Sequence, residues 1–188
     1  DSLVTYCGFN IDDIAIIGGG INGCAIAEEA AARGLRVALF EATDFGFGTT
    51  WRSTKLIHGG LRYLEMLDFR LVAEALAERS LLTTKLAPHL VKPIPFLYPL
   101  KGLGWERLYA GTGVAMYDSM SALSGRSRGL PGHRHLTRHG ARKHMPSLKK
   151  DALVGAIRYY DGQVDDARHT MFLARTAASY GAHVASRV

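Results

Sequence analysis

Only two cysteines, Cys7 and Cys24, occur in the 188 residues, and they lack any paired metal-ligand spacing. That excludes a disulfide framework and a cysteine-rich zinc site. No run approaches the roughly 18 apolar residues that a membrane-spanning helix needs, and no segment has the order of a signal peptide. Internal repeats and low-complexity tracts are absent. Apolar residues are nevertheless 47% and charged residues 21%, enough to build a core and too apolar for wholesale disorder. The charge is one-sided, with 23 Lys and Arg against 17 Asp and Glu, a net +6. That favours anionic partners such as phosphates, anionic lipid or nucleic acid without choosing among them. The default expectation is a reduced, cytoplasm-facing globular protein.

The first ten residues carry no pattern. From there the chain alternates strands and helices, which predicts an α/β fold. Ile14-Ala15-Ile16-Ile17 is a continuous apolar run, as in a parallel strand buried on both faces. Asn22 to Ala32 reads as a helix closed by Arg33 and Gly34. Val37 to Phe40 is a second strand, ending on Glu41, and a polar loop covers Thr43 to Ser53. A long helix is expected over Leu64 to Leu86, with Leu64, Leu67, Leu71 and Ala75 on its apolar face and Pro88 after it. Pro93, Pro95 and Pro99 make Lys92 to Leu100 an edge strand or extended connection. A further helix is expected over Trp105 to Leu123, with breaks at Gly111 and Gly113. Ser124 to Lys150 reads as a basic loop, Val154 to Tyr160 as a strand and Asp161-Gly162 as a turn. Asp166 to Tyr180 reads as a helix and Ala182 to Val188 as a strand.

The strongest motif is Gly18-x-Gly20-x-x-Gly23, which follows a strand and opens a helix. Ala27 lies four residues beyond, where a small side chain lets helix and strand approach. Glu41 ends the second strand 18 residues after Gly23, near the spacing of a ribose-binding acid. Gly18 suits a tight turn, Gly20 lets backbone approach a pyrophosphate, and the helix N-terminus around Asn22 offers N–H groups and a favourable dipole. A glutamate there is expected to accept from both ribose hydroxyls and to repel a 2′-phosphate. Together these point to an adenine dinucleotide.

The segment Gly48 to Leu64 is dense in hydroxyls, cations and glycines, offering donors for phosphate oxygens and a Gly-Gly approach for a flat ring. It resembles the segment after the second strand in FAD-dependent, quinone-linked glycerol-3-phosphate dehydrogenases. The resemblance continues through Phe69-Arg70-Leu71-Val72, Glu74 to Arg79, Ala87-Pro88-His89-Leu90, Tyr159 to Gln163 and Asp165-Asp166-Ala167-Arg168. Two departures are Trp51, where the family usually has Ser, and Ala25, where it usually has Gly. The resemblance implies FAD as cofactor and an FAD-binding, Rossmann-like doubly wound fold with an interleaved substrate-binding domain. The expected division is 11–88 for the first part of the FAD domain, 89–165 for the substrate domain and 166–188 for the return. Family members are longer, so these residues are expected to be their N-terminal portion.

The implied activity is oxidation of sn-glycerol 3-phosphate to dihydroxyacetone phosphate, with a hydride passed to FAD and electrons to a membrane quinone. Gly18, Gly20, Asn22, Gly23 and Glu41 are implied to hold the ADP half. Thr49, Thr50, Ser53, Lys55, His58, Gly59, Gly60 and Leu61 line pyrophosphate and flavin, and Arg62 and Tyr63 face the substrate. Arginine suits a phosphate monoester because its planar fork binds it bidentately. His58 itself reads as a packed ring.

His133, Arg134, His135, Arg138, His139, Arg142, Lys143 and His144 form a basic tract. His135 and His139 have zinc-compatible spacing, but the interleaved cations repel a divalent ion, and stacking aromatics for nucleic acid are missing. A solvated face touching anionic lipid is the better reading, with a location in the cytoplasm, peripheral at the inner face of the cell membrane. A homodimer stays open. Asp165 and Asp166 precede a helix and read as N-caps. Alternatives are an amine- or amino-acid-oxidising flavoenzyme, an NAD-dependent reductase, and a basic membrane-binding module without catalysis.

Overall fold

The computed structural model describes residues 13–60, 63, 66–102, 104–123, 130–149 and 151–188, without the side chains of 121–123. The chain divides into two compact units. Unit 1 holds the residues up to Lys55 together with Val164–Val188, and unit 2 is Leu56–Gln163 inserted between them.

Unit 1 is a parallel sheet of β1 (Ile14–Ile17), β2 (Val37–Glu41) and β7 (His183–Ser186) in the order β1-β2-β7. Helix α1 (Ile21–Ala32) joins β1 to β2, and α5 (Asp166–Ser179) leads into β7. The core is built from small residues. Cys24, Ala27, Ala30 and Ala31 of α1 pack with Val37, Leu39, Ala174 and Ala177. Alanine on both helices lets their backbones approach closely, so a single extra methylene here overpacks. Asp165 caps α5 by accepting from Arg168 N–H at 3.3 Å, as its position predicts. The second face of β1 differs from the expectation. Ala15 is exposed and Ile17 is 92% exposed, because α1 and α5 pack against each other and the described residues supply no layer over that face.

Unit 2 centres on β6 (Gly155–Gln163). It pairs antiparallel with β4 (Lys92–Leu100) on one side and with β3 (Leu56–Ile57) and β5 (Arg134–Thr137) on the other. Among the described residues β4 is therefore an edge, as its prolines predict. Their even spacing puts the missing N–H groups on one side of the strand, leaving the other parity to the ladder. Asp161-Gly162 is not a turn: both residues lie inside β6, paired with Ile94 and Pro93. The glycine is there for space, since a Cβ at Gly162 would sit 3.1 Å from Val91 Cγ1 and 3.3 Å from the Ile57 carbonyl oxygen.

Helix α2 is Phe69–Leu81, not a helix from Leu64. Leu67 has a left-handed φ of 58°, and Asp68 accepts from Leu71 N–H at 3.1 Å. A helix cannot run back through such a residue. The buried face is Val72, Leu76, Arg79 and Ser80, while Leu67 and Leu71 are exposed. A wider turn over Leu82–Leu86 follows, closed by Ala87 N–H on the Leu82 carbonyl at 3.0 Å. Helix α3 (Trp105–Leu123) is continuous through Gly111 and Gly113. The basic stretch is not all loop, since it holds β5 and α4 (Arg138–His144), capped by Thr137 accepting from Gly140 N–H at 3.2 Å. The expected first boundary at 88/89 also differs, because residues 56–88 cluster with unit 2.

Candidate dinucleotide-binding site

The glycine turn between β1 and α1 is a backbone surface held open from behind. Gly18 has φ +108°, and its N–H donates to the Phe40 carbonyl at 2.8 Å, tying the turn to β2. A Cβ at Gly23 would lie 2.0 Å from the Gly18 carbonyl oxygen, so α1 starts as close to the turn as backbone allows. A Cβ at Gly19 would strike Phe45 at 2.5 Å. The N-cap, Gly20, has no side chain with which to cap.

That leaves α1 with donors to spare. Its first internal bond is Cys24 N–H to the Gly20 carbonyl at 3.0 Å, and Ile21 N–H donates to Thr50 Oγ1 at 3.2 Å. The N–H groups of Gly20, Asn22 and Gly23 have no acceptor among the described residues. No acidic side chain sits in the first turn of α1. Free donors at the positive end of a helix dipole form an anion site, and the adjoining Thr50 hydroxyl still has its proton to give. The residues fit a pyrophosphate.

Glu41 lies beside this turn and does more than the sequence suggests. Its Oε2 accepts from Gly19 N–H at 2.7 Å; its Oε1 accepts from Thr43 N–H at 2.8 Å and Thr43 Oγ1 at 3.0 Å. Those bonds, Thr43 N–H first, hold the carboxyl below the usual glutamate range. An ionised carboxylate has roughly four lone-pair sites, so one remains, on Oε2. As folded, Glu41 can take one ribose hydroxyl rather than two.

The hydroxyl-rich segment is partly committed to its own architecture. Thr49 precedes a short helical turn over Thr50–Arg52 and is exposed. Ser53 Oγ bonds to Asp166 at the start of α5 and accepts from Lys55 N–H at 2.9 Å. Lys55 has φ +58°, and its carbonyl accepts from Val164 N–H at 3.0 Å. Trp51 is 46% exposed, with the Arg52 guanidinium 5.4 Å from its ring centroid. Cys24 is fully buried behind the turn, and burial first, then Glu41, pushes its thiol up to about 11.

Within unit 2, His58 is exposed and not the packed ring expected of it, whereas Gly59 and Gly60 are buried. Gly60 has φ +75°, and Tyr63 folds back on it, with Tyr63 N–H on the Gly60 carbonyl at 2.8 Å. Gly59 N–H donates to Tyr117 Oη at 2.8 Å and to Asp161 Oδ1 at 3.3 Å. Arg79 Nη1 reaches the same two atoms, at 2.8 and 2.5 Å. Nothing in the local sequence pattern joins Arg79, Tyr117 and Asp161. The available signal was a charged residue at 79 continuing the helical spacing of Val72 and Leu76. Leu61 and Arg62 lie outside the described residues. Among those described, no group of His, Cys, Asp or Glu could hold a metal, and no helix is long and apolar enough to cross a membrane.

The profile of the family described as FAD dependent oxidoreductase matches residues 13–188. The chain is 56% identical to Glycerol-3-phosphate dehydrogenase 2 of Mycobacterium tuberculosis over 172 residues, 92% of this chain and 29% of that protein. Against the mitochondrial glycerol-3-phosphate dehydrogenase of Rattus norvegicus, identity is 48% over 181 residues, 93% of this chain and 24% of that one. A solved structure of the glycerol-3-phosphate dehydrogenase from Bacillus halodurans complexed with FAD superposes with a TM-score of 0.62 at 27% identity, covering 95% of this chain and 27% of that one. The chain thus spans less than a third of the length of these three relatives. With its glycine turn, its free helix donors and the acid at the end of β2, it belongs to the FAD dependent oxidoreductase family.

Proposed function

We propose that the protein carrying this chain oxidises sn-glycerol 3-phosphate to dihydroxyacetone phosphate and delivers the electrons to a membrane quinone. The observation that carries the cofactor half is the set of unpaired N–H groups of Gly20, Asn22 and Gly23 beside Glu41. Those donors would hold the pyrophosphate of FAD, with Thr50 as a further donor and Glu41 on a ribose hydroxyl. FAD, when bound, supplies the two-electron acceptor for oxidation of a carbinol C–H. The substrate half is supported by identity to proteins named glycerol-3-phosphate dehydrogenase over nine-tenths of the chain.

In this reading the stretch His58 to Leu61 faces the flavin, and Arg62 and Tyr63 face the substrate. A phosphate monoester is close to a dianion at neutral pH and glycerol is not, so a guanidinium selects the ester by charge and by its fork. Electrons bound for a membrane quinone have to be delivered at a membrane surface. A peripheral location at the inner face of the cell membrane goes with that, and the basic residues of β5 and α4 suit anionic headgroups. A homodimer is compatible with the same reading.

The test is dye reduction by the intact protein offered glycerol 3-phosphate, glycerol and a 2-amino acid as competing donors. Preference for the phosphate ester is expected. Arg62→Ala should lower kcat/KM by about tenfold or more, and Arg62→Lys, which keeps charge without the fork, by less. Preferential oxidation of the amino acid would transfer the protein to the amine-oxidising branch. Unaltered kinetics in Arg62→Ala would remove that residue from the site.

A further inference from the structure

Arg79, Tyr117 and Asp161 come from α2, α3 and β6 and meet in the interior of unit 2. The Arg79 and Asp161 side chains are only 5% and 7% exposed, and Tyr117 is 1% exposed. Asp161 Oδ1 receives Arg79 Nη1, the Tyr117 hydroxyl at 2.9 Å and Gly59 N–H, while Tyr117 Oη receives Arg79 Nη1 and Gly59 N–H. A buried ion pair is seldom the cheapest way to fill a core, because desolvation offsets most of its attraction. The cluster also holds the peptide between His58 and Gly59, through the Gly59 N–H.

That grip fixes a direction. The chain has no cis peptide among its described residues. In a trans peptide the carbonyl of His58 points opposite to the N–H of Gly59. With the N–H turned into the cluster, the His58 carbonyl is turned away from the core. The packing there is close: a Cβ at Gly59 would lie 2.3 Å from both Leu76 Cδ2 and Tyr117 Oη. Gly60 follows with φ +75°, its carbonyl accepting from Tyr63 N–H.

We propose that the Arg79–Tyr117–Asp161 cluster is a positioning element that sets the orientation of the 58–59 peptide, and through it the protein surface offered to the flavin ring. This rests on the reading that the turn faces the flavin. The three residues touch no reacting atom; they act through Gly59.

The experiment compares Tyr117→Phe with Val72→Ala in the intact holoprotein. The first removes one hydroxyl and keeps the ring; the second loosens the same apolar cluster of Val72, Leu76 and Tyr117 without touching the hydrogen bonds. Hydrogen exchange of the segment containing Gly59, visible circular dichroism of the bound flavin, and thermal unfolding are read on both. Tyr117→Phe should speed Gly59 exchange about tenfold, as expected for loss of one hydrogen bond, and change the flavin dichroism. Val72→Ala should lower the unfolding temperature while leaving both local signals unchanged. Arg79→Lys, which keeps a charge against Asp161, takes the place of Tyr117→Phe if that variant does not accumulate. Equal local signals in the two variants would overturn the proposal, as would wild-type exchange and dichroism in Tyr117→Phe. A wild-type protein without flavin would defeat the functional reading, and the exchange data would still decide whether the cluster holds the turn.

Discussion

Replacing Glu41 by alanine should damage the dinucleotide site in two separable ways. Three of the carboxylate's roughly four lone-pair sites hold the fold: one binds Gly19 N–H at 2.7 Å and two bind Thr43. Gly19 is buried, so the alanine variant leaves a buried donor unpaired, at a cost of about 1–3 kcal/mol in stability. The remaining lone pair is the one available to a ribose hydroxyl, and a hydrogen bond to a charged acceptor contributes about 1.5–3 kcal/mol. FAD affinity of the apoprotein should therefore fall about 10- to 150-fold, with a lower denaturant midpoint. Glu41→Gln should not rescue it, because its amide turns a donor toward N–H groups that need an acceptor. Because backbone donors hold the Glu41 carboxyl below its usual range, its contribution is complete above about pH 4.3, the ordinary glutamate value. It is lost as pH falls through the lower folded value. FAD retention should loosen in that acid range in wild type, and this step should be missing in Glu41→Ala. Titration calorimetry of FAD into apoprotein, with urea unfolding alongside, measures both effects. Wild-type affinity and an unchanged midpoint in Glu41→Ala would mean that this carboxylate holds neither the turn nor the ribose.

Gly23→Ala should be worse, because its Cβ would lie 2.0 Å from a backbone oxygen that cannot rotate away. A loss of about 3 kcal/mol or more, with FAD lost on gel filtration, is expected; a fully loaded variant would contradict the turn geometry. Cys24 should resist alkylation in the native protein at pH 8 and react only after unfolding, because the thiol is buried and raised to about 11. Peptide mapping checks this, and native labelling at Cys24 would oppose it. Asp68→Ala should lower the unfolding free energy by about 1 kcal/mol, the worth of an N-cap, seen as a lower urea midpoint; no change would mean that α2 does not need it.

Unit 1 was largely legible because its signals are local. An apolar run, a glycine turn, an alanine-rich helix and an acid at the strand end lie within about thirty residues, each reinforcing the next. Asp165 capping α5 belongs to the same class. Unit 2 was harder because long-range pairing decides it. Asp161-Gly162 carries a turn signal, yet ladders to β3 and β4 hold both residues in extended form. On α2 two stripes compete, and Val72-Leu76-Arg79-Ser80 is buried instead of Leu67-Leu71 because Leu67 and Asp68 end the helix before it can reach Leu64. A buried guanidinium such as Arg79 needs partners on other elements, and helical periodicity cannot reveal Tyr117 or Asp161. Glu41 was recognised by position, but its bonds to Gly19 and Thr43 depend on loop conformation.

If the glycine turn and Glu41 hold an adenine dinucleotide of the flavin kind, the intact protein carries it through purification. The direct measurement is to purify the intact protein, record its visible spectrum, release the chromophore and quantify it. A yellow protein that yields FAD in stoichiometric amount is expected. A colourless protein that takes up NADH instead would contradict it.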